Sequence, residues 1–180
     1  MRRGRPARPT QRRASSIFSS IPAPHACRPV AAVVERDGLF LVIEEHAATR
    51  RVLNQPAGHL EEGESLLEAV VRETLEETAY RFTPQALVGV YLWRSPEAGR
   101  TFLRVAISGE VTGPDPTRRL DRCIIRSAWL SRAQLAARAG ALRSPLVLRC
   151  IDDHLAGAGY PLALLAHVEQ GSLADLAQVP

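Results

Sequence analysis

Lysine is absent from the 180-residue chain: all 23 basic residues are arginine. This reads as a coding bias, since a need for guanidinium at every basic site is implausible, and it removes lysine from any catalytic role. Cysteine is scarce. Cys27, Cys123 and Cys150 are odd in number, widely spaced and free of any C-x-x-C pattern, which argues against a zinc site and against a disulfide framework. A reducing, cytoplasmic setting fits this usage best. No apolar run approaches the roughly 20 residues needed to span a bilayer. The longest, around Val30 to Val34 and Pro161 to Ala166, are far shorter, so a soluble protein with no membrane partner is expected. The length suits one domain with a well-filled core and is short for two.

The formal net charge of +4 conceals an uneven distribution. Residues 1–28 carry seven arginines and no acid, whereas residues 29–180 carry sixteen arginines against nineteen acids. The basic charge sits on an arm and the body is acidic, so a nucleic-acid partner is not expected from the charge. Residues 1–23 are rich in Arg, Pro and Ser with almost no apolar periodicity, and are expected to be disordered. Three readings of this arm stay open: an organelle transit peptide, a phosphate-seeking extension, or an incidental extension from an overlong start assignment. The expected division is an arm over 1–23, a catalytic domain over 24–168 and a tail over 169–180.

Along the domain, Val30–Val34 and Leu39–Glu44 are apolar and β-branched around Asp37-Gly38, a strong hairpin signal, and are predicted to pair as antiparallel strands. Residues 46–51 read as a loop and Val52–Asn54 as a short strand before Pro56. Ser65–Thr78 is predicted helical, with Leu67, Val70, Val71, Thr74, Leu75 and Thr78 as its buried stripe. Pro84–Trp93 and Thr101–Val111 read as long strands joined through Ser95–Gly99, and Ile124–Leu130 as a further strand. Helices follow over Arg132–Ala139, capped by Ser131, and over Ser144–Ala156, ended by Gly157 and Gly159. Strands interleaved with helices in this uneven order indicate an α/β fold with a mixed sheet between helices.

The chemistry concentrates in Gly58–Tyr80, GHLEEGESLLEAVVRETLEETAY. Offsets of three and four along a helix bring Glu76 and Glu77 to the same surface as Glu73. Hard divalent ions prefer oxygen ligands and commonly bridge carboxylates to substrate phosphates. The segment therefore points to a phosphorylated small-molecule substrate.

Gly58, Glu64, Arg72, Glu73, Glu76, Glu77 and Tyr80 stand at the fixed positions of the Nudix box, G-x5-E-x7-R-E-U-x-E-E-x-G-U, so this chain resembles the Nudix hydrolases. Two positions depart. Thr74 replaces a bulky apolar residue, and Ala79 replaces a glycine whose usual left-handed backbone an alanine adopts only at a cost of roughly 1 kcal/mol. Asn54–Glu61, Leu142–Val147 and Tyr160–Leu162 resemble the NudJ-type branch, although Leu53 stands where that type is expected to carry tryptophan.

The resemblance implies an α/β/α sandwich and metal-dependent hydrolysis of pyrophosphate linkages, with Mg²⁺ as cofactor and Mn²⁺ as a substitute. It implies Glu73, Glu76 and Glu77 as metal ligands, with the Gly58 carbonyl as a further one. Arg72 is expected to orient carboxylates such as Glu64 or Glu73, and Glu64 to hold the loop to the helix. The general base stays open between Glu73 and a later carboxylate, Asp121 or Glu97. Trp93, Arg104 and His59 are the substrate-binding candidates outside the box, and Arg143-Ser144-Pro145 precedes a helix whose free N–H groups could receive a phosphate. NudJ resemblance implies nucleoside tri- and diphosphates, or the pyrophosphate of the thiamine pyrimidine precursor, as substrates. The rival readings are a catalytically silent nucleotide-binding regulator and an RNA end-processing enzyme. Oligomeric state is not legible.

Overall fold

The computed structural model describes residues 30–47, 49–96 and 99–168. The arm, Cys27, Glu97 and the tail lie outside the described residues. The elements in chain order are β1 (Val30–Val33), β2 (Glu35–Arg36), β3 (Leu39–Ala47), β4 (Arg50–Asn54), β5 (Ala57–Gly58), α1 (Leu66–Thr78), β6 (Arg81–Arg94), β7 (Thr101–Thr112), β8 (Ile124–Ser131), α2 (Arg132–Ala136) and α3 (Leu146–Leu155). Single 3₁₀ turns occupy Ala139–Ala141 and Leu162–Leu164.

Two sheets form the middle layer. In the mixed sheet, ordered β5-β1-β7-β6, β1 runs parallel to β7 and antiparallel to β5. In the second, β3 carries β2, β4 and β8 as antiparallel partners. One core, built on Val30, Leu41, Val70, Phe82, Val105 and Ile107, lies beneath α1. A separate core, built on Val33, Phe40, Leu53, Val88, Val147 and Ile151, lies beneath α3. The result is the expected α/β/α layering.

One pairing differs from the sequence expectation. The hairpin at Asp37-Gly38 exists, with φ of 52° and 75° at the two residues, which suits the left-handed turn that Asp-Gly favours. Its outgoing arm pairs with Glu35–Arg36, extended by a single bond from Leu41 N to Val34 O (3.0 Å), and not with Val30–Val33. The physical reason is that β1 is apolar at every position and buried on both faces. Such a run belongs in the interior of a sheet, where β1 lies between β5 and β7. The region read as a loop over 46–51 is also mostly strand: β3 continues to Ala47 and β4 begins at Arg50. Near the C-terminal end α2 stops at Ala136, and α3 begins at Leu146 with Pro145 as N-cap.

α1 begins with a capping box. Glu68 N donates to Ser65 Oγ (3.2 Å) and Ser65 N donates to Glu68 Oε2 (2.9 Å), satisfying two of the donors a helix start leaves open. Its inner face buries Ala69, Val70, Thr74 and Thr78. Thr74, in place of the bulky apolar residue of the box, returns its hydroxyl to Val70 O (2.7 Å), so no buried polar group is left over. The helix ends at Ala79 with φ 59° and ψ 10°, the left-handed geometry that glycine adopts freely. Ala79→Gly is therefore expected to raise stability by roughly 0.5–1 kcal/mol, measured as a higher urea midpoint at unchanged slope. An unchanged or lower midpoint would show that the alanine methyl, which is buried, contributes more than its backbone strain costs.

Candidate active site

Arg72 organises the N-terminal half of the acidic segment. Its Nε and Nη2 donate to Glu64 Oε1 (2.7 Å) and Oε2 (2.9 Å), a bidentate pairing that fixes loop to helix. Nη1 lies 3.0 Å from both Glu73 Oε1 and Glu76 Oε2, and Nη2 also donates to His59 O (2.9 Å). Glu64 is held below its ordinary carboxyl pKa, chiefly by its hydrogen bond to Arg72. Glu73 is moved the other way: burial raises its pKa against the pull of Arg72.

Glu73 fills space that any side chain at position 58 would claim. A Cβ on Gly58 would run into the Glu73 carboxylate, and His59 N donates to Glu73 Oε1 (3.1 Å). Glycine is required here because of this close approach. Gly58→Ala is expected to push the carboxylate away and lower kcat by about a hundredfold, equivalent to about 3 kcal/mol, with KM changed far less. Steady-state kinetics on the purified variant check this, and a kcat within a factor of three of the parent would contradict it. One turn further along, Glu77 is buried and accepts from Ala57 N at 2.8 Å, tying α1 to β5.

Glu73 and Glu77 line a cleft of about 410 Å³ together with Gly58, His59, Asp121 and Arg122. Asp121 is held near α1 by a bond from its N to Glu76 O (3.1 Å). Of the sequence candidates, Gly58, His59, Glu73, Glu77 and Asp121 thus meet at one place. Glu76 is turned to Arg72 and does not line the cleft. Among the described residues, no three His, Cys, Asp or Glu side chains stand close enough to make a ready metal cage. The donor set nonetheless fits a hard divalent ion: two glutamates and an aspartate rim one cleft, and one of the glutamates sits in the cradle left by the missing Cβ of Gly58.

Trp93 and Arg104 lie elsewhere, on a wider cleft of about 1020 Å³ beside the start of α3. The Trp93 and Phe102 rings, on paired positions of β6 and β7, stack at 5.3 Å between centroids with 28° between planes. Arg104 is 4% exposed and donates to Gln55 Oε1 (2.7 Å) and Asn54 Oδ1 (3.1 Å), so it grips the segment leading to Gly58 as well as lining the cleft. Trp129 packs against the α1-side core. Its Nε1 donates to Tyr80 Oη (3.2 Å), and the Arg36 guanidinium lies 4.8 Å from its ring centroid. Sequence reasoning missed Arg122 on the acidic cleft; the run Arg118, Arg119 and Arg122 flanking Asp121 was the available signal.

A helix carrying an arginine-clamped set of glutamates over a glycine-led loop, within this layered fold, agrees with the comparison to known proteins. The NUDIX domain profile matches residues 25–150, and the chain belongs to the Nudix family. It is a hydrolase of phosphoanhydrides, in a family that generally works with a divalent metal on small phosphorylated substrates. It is 39% identical over 136 residues to the phosphatase NudJ of Escherichia coli K12, covering 76% of this chain and 88% of that one. The same values relate it to the phosphatase NudJ of Shigella boydii serotype 4. A solved Nudix hydrolase from Nitrosomonas europaea superposes with a TM-score of 0.76 at 46% identity, covering 79% of this chain and 97% of that one. Among the described residues no helix is long and apolar enough to cross a membrane.

Proposed function

We propose that this chain removes phosphate from nucleoside tri- and diphosphates, or from a related heterocyclic pyrophosphate such as the thiamine pyrimidine precursor, with Mg²⁺ as its ion. The observation that carries the reading is the cleft rimmed by Glu73, Glu77 and Asp121 behind Gly58. Glu73, Glu77 and the Gly58 carbonyl are the residues that would hold the ion, with Glu76 completing the set from the Arg72 side. Bound there, the ion would supply positive charge to the diphosphate oxygens and raise the acidity of water.

The chain's own groups supply the rest. A diphosphate presents closely spaced negative charge, and with no lysine in the chain Arg122, which lines the cleft, is placed to receive it. Glu73 Oε1 is engaged by His59 N and Arg72, which leaves Oε2 to take the proton from the attacking water. Burial raises the basicity of that carboxylate, which suits the task. Asp121, on the facing loop, is the second carboxylate in reach of the cleft. His59 presents its backbone to Glu73 and leaves its exposed ring beside the phosphates. The planar end of the substrate fits the wider cleft, where the Trp93–Phe102 stack offers an aromatic wall. Similarity to the phosphatases named NudJ supports a phosphate-releasing reaction, and the scarcity of cysteine, with Cys123 and Cys150 free among the described residues, supports a cytoplasmic location.

The test is purified protein with Mg²⁺ or Mn²⁺ against a panel of nucleoside tri- and diphosphates, thiamine diphosphate and its pyrimidine precursor, with released phosphate measured. Turnover that requires the ion, on at least one heterocyclic diphosphate, is expected. Micromolar binding across the panel with no hydrolysis would instead favour a silent nucleotide sensor.

A further inference from the structure

Glu45 is an acid outside the Nudix box whose side chain is almost wholly enclosed, at 1% exposed. Taking a carboxylate out of water is expensive, so a buried one needs compensating partners. Glu45 stands on β3, diagonal across the β3–β4 pair from Asn54, since Ile43 is opposite Asn54 and Glu45 is opposite Val52. Asn54 Nδ2 donates to Glu45 Oε1 at 3.4 Å, and the Arg143 guanidinium lies 3.8 Å from the same oxygen. The register of β3 against β8 shifts between Glu44 and Glu45, an irregularity of the kind that re-aims a side chain.

The chemistry of its neighbours fixes Asn54. A guanidinium only donates and a carboxylate only accepts, whereas a carboxamide does one at each end. With Arg104 Nη2 donating to Asn54 Oδ1 (3.1 Å) and Glu45 accepting from Nδ2, one orientation of the amide satisfies both ends and the flipped one satisfies neither. Gln55 repeats the arrangement: its Oε1 accepts from Arg104 Nη1 (2.7 Å) and its Nε2 donates to Val147 O (3.3 Å) on α3. Arg104 belongs to β7 of the mixed sheet, while Glu45 and Asn54 belong to the second sheet, so the cluster ties the two sheets together.

The segment pinned in this way leads directly to the acidic cleft. Pro56 O accepts from Ala32 N (2.9 Å), Ala57 N donates to Glu77 Oε2 (2.8 Å) and His59 N donates to Glu73 Oε1 (3.1 Å). We propose that Glu45 is a positioning residue for phosphoanhydride hydrolysis: it holds the Asn54 carboxamide against Arg104, and so sets the Asn54–His59 backbone on which Glu73 and Glu77 are seated. Glu45 lines neither of the two clefts, so its effect passes through that segment. The inference rests on the hydrolase reading for its kinetic consequence alone; the placement of the backbone is independent of it.

The test pairs amide hydrogen exchange, followed by NMR on the full chain without metal, with steady-state kinetics in Mg²⁺. In Glu45→Gln the Ala57 and His59 amides are expected to exchange about tenfold faster than in the parent, with the amides of β6 and β7 unchanged. kcat is expected to fall about tenfold, with KM within about threefold, because the seats of the two glutamates shift while no cleft wall is altered. Glu44→Gln removes the same charge one residue away, where the carboxylate accepts from Arg126 Nε (2.8 Å), and is expected to match the parent in both measurements. The double variant Glu45→Gln/Asn54→Asp moves the acceptor to position 54 and the donor to position 45, and is expected to restore both. Unchanged exchange at Ala57 and His59 in Glu45→Gln overturns the placement, as does exchange that rises equally throughout the chain or a double variant that recovers nothing. Should Glu45→Gln fail to fold, a folded double variant with parent-like exchange supports the pairing and an unfolded one overturns it. Faster exchange with unchanged kcat overturns the kinetic role. A parent chain that hydrolyses nothing sinks the hydrolase reading instead, and the exchange data still decide what Glu45 holds.

Discussion

Glu77→Gln is expected to lower the rate of phosphate release by about a thousandfold, equivalent to about 4 kcal/mol of transition-state stabilisation, while leaving the protein folded. The side chain is 3% exposed and its Oε2 accepts from Ala57 N at 2.8 Å. A carboxamide retains an acceptor oxygen of the same reach, so the tie between α1 and β5 persists. What disappears is a negative charge at the cleft wall, which matters if its purpose is to hold a cation against a diphosphate. Steady-state kinetics with Mg²⁺, run beside thermal unfolding, separate the two effects. A folded variant turning over within tenfold of the parent would remove Glu77 from the ion-holding set.

Arg104→Met is expected to cost about 3 kcal/mol of stability or more and to depress turnover with it. The methionine fills much of the same space but donates nothing, so Gln55 Oε1 and Asn54 Oδ1 each lose a charged donor in positions that are 1% and 0% exposed. A buried acceptor left unsatisfied costs about 1–3 kcal/mol. Both amides precede Gly58 by a few residues, so slack introduced there reaches the Gly58 cradle and the His59 N–H that hold Glu73. Urea denaturation measures the stability, and kcat on the same preparation measures the transmission. A loss below about 1 kcal/mol would show that Arg104 serves the cleft and not the segment it grips.

The part of the molecule written most clearly in the sequence is α1, because its instructions are local. Ser65 and Glu68 cap each other within one turn, the apolar spacing selects one face for the core, and Glu73, Glu76 and Glu77 follow from helical geometry alone. The two long strands β6 and β7 were legible for the same reason. The partner of β1 was not, since period and turn chemistry describe a strand's neighbours in sequence and say nothing about which distant strand covers its second face. Arg104 posed the same difficulty in a side chain. Alternation along β7 puts it on one face with Phe102, but its bonds to Asn54 and Gln55 span about fifty residues of chain and depend on the sheet order β5-β1-β7. Ser144 was legible as part of a segment before a helix whose free N–H groups could receive a phosphate, but its burial was not, because that depends on packing against distant parts of the chain.

The Arg72 fork also bears on the order in which the protein is assembled. By bridging Glu64, Glu73 and Glu76, the guanidinium acts as a resident counter-ion that relieves repulsion among carboxylates crowded on adjacent turns. Folding then need not wait for a metal to be supplied. The acidic surface forms with its own counter-charge, and an arriving cation competes with a charge already in place.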